Sequence, residues 1–133
     1  MKKLLLVITI VITSVCVNAQ VLIADYGQKG ILVSNKWTYG QLYDLNVRIV
    51  FDGVNFYVTD RAYSRYRIYG KGKIEYGSDY STLHYDVVKD EKGRKCNIAI
   101  ITMDDDDKSR VFCVIYKNVL YRYFIDNDKS DIQ

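Results

Sequence analysis

The stretch from residue 95 to 125 constrains the fold of this chain more than any other. Apolar runs at 96–101, 111–116 and 119–125 follow one another there, with polar residues between them. Each run has strand length and is rich in β-branched and aromatic residues, which predicts three consecutive antiparallel strands. Two of the three are apolar on both alternating faces, as strands at the centre of a sheet or a barrel wall are.

The N-terminus carries a different message. Met1-Lys2-Lys3 followed by the apolar run 4–17 has the basic and apolar regions of an export signal. Val17-Asn18-Ala19 then offers tolerated residues where a signal peptidase cuts. The expectation is a signal peptide over 1–19 and an exported protein, periplasmic or secreted, beginning at Gln20. The apolar run is short for a bilayer crossing, so no stable membrane span is expected after cleavage. Cys16 invites a lipoprotein reading, but Thr13-Ser14-Val15 lacks the small residue that lipid attachment wants beside the cysteine, so lipidation is not expected.

Cleavage would leave 114 of the 133 residues, enough for one core and too few for two. The expected layout is a single β domain over 20–125 and a frayed polar tail over 126–133. Without Lys2 and Lys3, the remaining chain carries 17 basic and 16 acidic residues. That balance gives no reason to expect nucleic acid as a partner. Proline is absent and all 13 tyrosines lie beyond the signal. No stretch shows a 3.6-residue apolar stripe with caps. The predicted fold is therefore all-β: about eight strands in an antiparallel meander that closes into a barrel, because nearly every connection reads as a short hairpin. A two-sheet β-sandwich is the alternative.

Local signals place the hairpins. Residues 25–30, with Gly27 and Gly30, read as a turn between strands at 21–24 and 30–34. Asp52-Gly53 predicts a two-residue type I′ turn, with Phe51 facing Val54, Ile49 facing Phe56 and Val47 facing Val58 on one side of the hairpin. Residues 89–94 have the form of a type I turn followed by a glycine bulge. That turn would fold a strand at 83–88 onto the run beginning at Cys96. Trp37, the sole tryptophan, is expected to plug the core or one barrel end, with ligand stacking as its other role.

The run 61–69 yields the main candidate site. As a strand it turns Tyr63, Arg65, Arg67 and Tyr69 to one side and Ser64, Tyr66 and Ile68 to the other. Arginine stems lying over tyrosine rings can be an ordinary solvated face. The same row, with Trp37, offers bidentate donors and stacking planes for an anionic or sugar ligand. This points to a non-enzymatic binding or inhibitory module, with a glycan or protein partner in the cell envelope or outside the cell. A small hydrolase is the alternative, using His84 and Asp86, which alternation would place on one face, but no nucleophile or metal set accompanies them. A structural envelope or assembly component is the third reading.

Asp104 to Asp107 form an acidic hairpin tip that lacks the alternation and glycine of a calcium loop. No catalytic residue, cofactor or metal is assigned. Finally, export implies an oxidising compartment, and two cysteines remain after the signal, so a Cys96–Cys113 disulfide is the expected pairing. It would stabilise the fold by about 3 kcal/mol in the chain-entropy picture. The register decides whether it can form. A turn centred on Asp104 and Asp105 sets the two cysteines face to face, whereas one centred nearer Asp107 offsets them by several residues.

Overall fold

The computed structural model describes residues 20–60, 63–105, 107–128 and 130. The expected signal peptide, its cleavage point and Cys16 lie outside them, as do residues 61–62, Asp106, Lys129 and 131–133. The described residues form ten strands and no helix: β1 Gln20–Val33, β2 Lys36–Tyr39, β3 Tyr43–Phe51, β4 Asn55–Thr59, β5 Tyr63–Ile68, β6 Lys73–Tyr76, β7 Tyr80–Asp90, β8 Lys95–Met103, β9 Arg110–Ile115 and β10 Val119–Ile125.

Eight of them close an antiparallel barrel in the order β1-β3-β4-β5-β7-β8-β9-β10, and β10 returns to β1. Closure leaves these strands without open edges, which is what a β domain without covering helices needs. β2 and β6 extend the wall. Gly30 and Ile31 pair with both β10 and β2, so β2 continues the line of β3 along the far half of β1. β6 likewise continues β5 beside β7.

The alternation read from the sequence sets what lies inside. Ile49 and Val47 from β3, Phe56 and Val58 from β4, Ile98 from β8, and Phe112 and Val114 from β9 are buried in one cluster. Its centre is aromatic. Phe51 stacks on Phe56 at 4.2 Å between ring centres, and Phe56 reaches Phe112 at 5.2 Å across the barrel. Eight strands enclose a lumen that side chains can fill. Here they fill it.

Several registers differ from expectation. β1 runs unbroken through the supposed turn at 25–30, with only a register shift between Ala24 and Tyr26. Gly30 serves close approach: a Cβ there would sit 2.9 Å from the Tyr39 ring. The turn falls instead at Ser34-Asn35, whose φ values of 50° and 63° are those of a type I′ hairpin. At the β3–β4 hairpin Phe51 faces Phe56 and Ile49 faces Val58, two residues beyond the predicted register. The side chain of Asp52 accepts the amides of Val54 and Asn55 at 2.9 and 2.7 Å, which leaves Gly53-Val54 as the central pair. A slip of two keeps each residue on its predicted face. The β7–β8 turn matches its prediction, with Gly93 at φ 79° and its amide donating to Asp90 O.

The β8–β9 register overturns the disulfide. Ile98 faces Val114 and Ala99 faces Cys113. The cysteines are thus offset by an odd number of residues, and a period of two turns them to opposite faces. Cys96 faces inward beside Val88, in the core cluster, whereas Cys113 faces outward; both are buried free thiols.

The start of the tail is also docked rather than frayed. Asp126 N donates to Ile23 O at 2.8 Å, and Ile23 N donates to Ser130 Oγ at 2.9 Å. These bonds serve backbone groups of β1 just before its register shift, where β10 does not pair.

Candidate binding surface

Because the lumen is filled by side chains, the outer wall is where a partner would be met. On β5 the alternation holds as read: Tyr66 is buried, and Tyr63, Arg65 and Arg67 are exposed, with Tyr69 following outward just beyond the strand. Pairing with β4 sets Thr59 beside Tyr63, Tyr57 beside Arg65 and Asn55 beside Arg67. Tyr57 stacks on Tyr63 with ring centres 5.8 Å apart. Its hydroxyl donates to Asp52 Oδ2, and that hydrogen bond raises the phenol above its ordinary range.

The row continues onto the next strands. Arg67 faces Lys89 on β7, and Lys89 faces Lys95 on β8. Arg67 and Lys89 lie over the same Tyr69 ring, at 5.4 and 5.5 Å. Among the described residues, none of Arg65, Arg67, Lys89 and Lys95 is in a salt bridge. Carboxylates meet this row through the Tyr57 hydroxyl, which donates to Asp52, and through the backbone, where Arg65 N donates to Glu91 at 3.2 Å. The result is a strip of cations alternating with ring faces, a geometry that accepts planar anions by bidentate hydrogen bonds and sugar faces by stacking.

Trp37 does not plug the core. It stands half-buried on the β2 extension, where it lines a cavity of about 540 Å3 together with Val87, Lys89, Lys95, Ile115 and Lys117. Lys89 and Lys95 therefore belong to both places, linking the β5 row to the tryptophan. Sequence reasoning missed Lys89, Lys95 and Lys117 because each sits at a strand end or turn, outside the alternation of any one strand. The β5 alternation carried no hint of them.

His84 and Asp86 each face a β6 side chain. His84 Nε2 lies 3.5 Å from Glu75 on β6, and Asp86 lies 3.9 Å from Lys73. Cys113 sits two strands from His84, in the outward row Arg122, Cys113, Ala99, His84. Burial pushes its thiol up to about 11, so it is not a ready thiolate. At the acidic tip, Asp104 pairs with Lys108 at 2.7 Å and Asp105 accepts from Ser109. Among the described residues, no group of three or more His, Cys, Asp or Glu side chains is arranged to hold a metal.

No family model, curated protein or solved structure matches this chain.

Proposed function

We propose that this chain is a non-enzymatic binding or inhibitory module, exported after cleavage near Ala19, that engages an anionic partner on the outer wall of its barrel. The observation that carries this reading is the unneutralised row Arg65, Arg67, Lys89 and Lys95, interleaved with Tyr57, Tyr63 and Tyr69. Carrying these cations close together without carboxylate partners costs self-repulsion, which a bound anion relieves. Tyrosine supplies contact area at low entropy cost, and tyrosine and arginine are the residues most often found at the energetic centres of interfaces. The ligand this favours is a carboxylated or sulfated glycan. An acidic protein surface offers the same charges without sugar faces.

The test is a glycan array probed with protein from the exported fraction, run beside a pull-down from the same cells. Signal on carboxylated or sulfated glycans that fades with added salt is the expected result. Uniform signal on neutral glycans, or none on any glycan or acidic protein, would sink the proposal. An unchanged array pattern for His84→Ala is expected, since His84 lies away from the strip.

A further inference from the structure

A second surface differs in character from the Tyr/Arg strip. The outward positions of an antiparallel wall that faces water are ordinarily polar. Along β8 three of them are Ala99, Ile101 and Met103, and from β9 Cys113, Val111 and Ile115 stand beside them. Ala99 and Cys113 are buried yet lie outside the core cluster, so they form the low floor of this outer face. Among the described residues no helix or second sheet crosses it.

Two concavities on this face, the one of about 540 Å3 under Trp37 and one of about 520 Å3 bordered by Glu75 and Tyr76 of β6, share Ile115 in their walls. Between them they follow β8 from Asn97 to Met103, about 20 Å at the usual strand rise, as two parts of one candidate groove. β2 borders one end and β6 the other. Charge is unequal along it. Lys89, Lys95 and Lys117 line the Trp37 end, where the one lining carboxylate, Asp86, lies 3.9 Å from Lys73. At the β6 end Glu75 lies by His84.

We propose that this groove binds a single-chain amphipathic anion: an acyl chain bearing a carboxylate or phosphate. The chain lies along β8 over Ala99 and Ile101, and the headgroup sits among the three lysines. A long floor with small residues at its centre suits a linear chain better than a compact ring system. The lysines set its direction and its sign of charge. Each concavity has a volume in the range usual for small-ligand sites. Apart from Lys89 and Lys95, none of these residues belongs to the Tyr/Arg strip, so the groove can stand if the strip has no anionic partner.

The test titrates the purified protein with monomeric dodecanoate and dodecyl phosphate by calorimetry. Dodecyltrimethylammonium and dodecyl maltoside serve as cationic and neutral chains, and anionic vesicles as a separate arm. Saturable binding of both anionic chains is expected, weaker by about tenfold or more for the cationic chain. Ile101→Glu should weaken dodecanoate by a similar factor, and Lys95→Glu with Lys117→Glu, at exposed positions, should remove the preference for anions. Arg65→Glu with Arg67→Glu should leave dodecanoate binding unchanged, which separates failure of the groove from failure of the strip. Equal affinity for all head groups, binding to vesicles without binding of monomers, or full dodecanoate affinity in both groove variants would overturn the proposal.

Discussion

The guanidinium carbon of Arg122 lies 3.6 Å from the centre of the Tyr39 ring. Its Nε donates to Gln28 Oε1 at 2.8 Å, and Gln28 Nε2 donates onward to Gly40 O at 2.6 Å. Side chains of β10 and β1 thus tie the end of β2 to the outer wall, and β2 carries Trp37. Arg122→Ala removes a stacked cation and its hydrogen bonds, a loss of about 1–3 kcal/mol. Amide exchange at Thr38 and Gly40 should speed up while Ile98 in the core stays protected. Unchanged protection in β2 would show that backbone pairing alone holds it.

Cys96 and Cys113 should both be free thiols in the folded protein. Burial raises their thiols to about 12 and about 11, so native protein should react slowly with iodoacetamide at neutral pH. Unfolded without reductant, it should gain two adducts. A mass two hydrogens lighter, with no adducts until reduction, would contradict the β8–β9 register.

Asp90 ties the β7–β8 turn to the barrel. Its side chain is 2% exposed. Burial alone would raise its carboxyl, but amides of Arg94 and Lys92, the Tyr116 hydroxyl and the Arg94 side chain all donate to it and hold it below the ordinary value. Because the folded carboxyl binds its proton less readily than the unfolded one, near 3.9, the stabilisation is full above that pH. It is lost as pH falls through the folded value. Asp90→Asn should cost about 2–3 kcal/mol at neutral pH and flatten the acid limb of the stability curve. Urea midpoints from pH 7 down to pH 3 measure both. A variant with the wild-type acid limb would show that other carboxyls set it.

The closed meander was legible because alternation on β3, β4 and β5 states which residues face inward, and that information survives a slip of two residues. What was not legible depended on turn geometry. Asp52 accepts two backbone amides and moves the hairpin by one pair, and nothing in the Asp-Gly dipeptide announces that. Gly27 and Gly30 look like turn residues, yet both lie within one long strand, where Gly30 packs close to Tyr39. The acidic β8–β9 tip fixes no register by composition, so the orientation of the cysteines had to be seen. The β5 row was visible from its alternation, whereas the lysines that extend it come from distant hairpins.

Binding by the Tyr/Arg strip is tested most directly by titrating a sulfated oligosaccharide into wild-type protein and into Arg65→Glu with Arg67→Glu. Both side chains are exposed, where substitutions usually shift stability by within about 0.5 kcal/mol. The double variant should keep its β-sheet circular dichroism and its unfolding midpoint and lose about tenfold or more in affinity, since attraction is replaced by repulsion. Salt should weaken the wild type more than the variant. A folded double variant that binds as tightly as wild type would contradict the proposed surface.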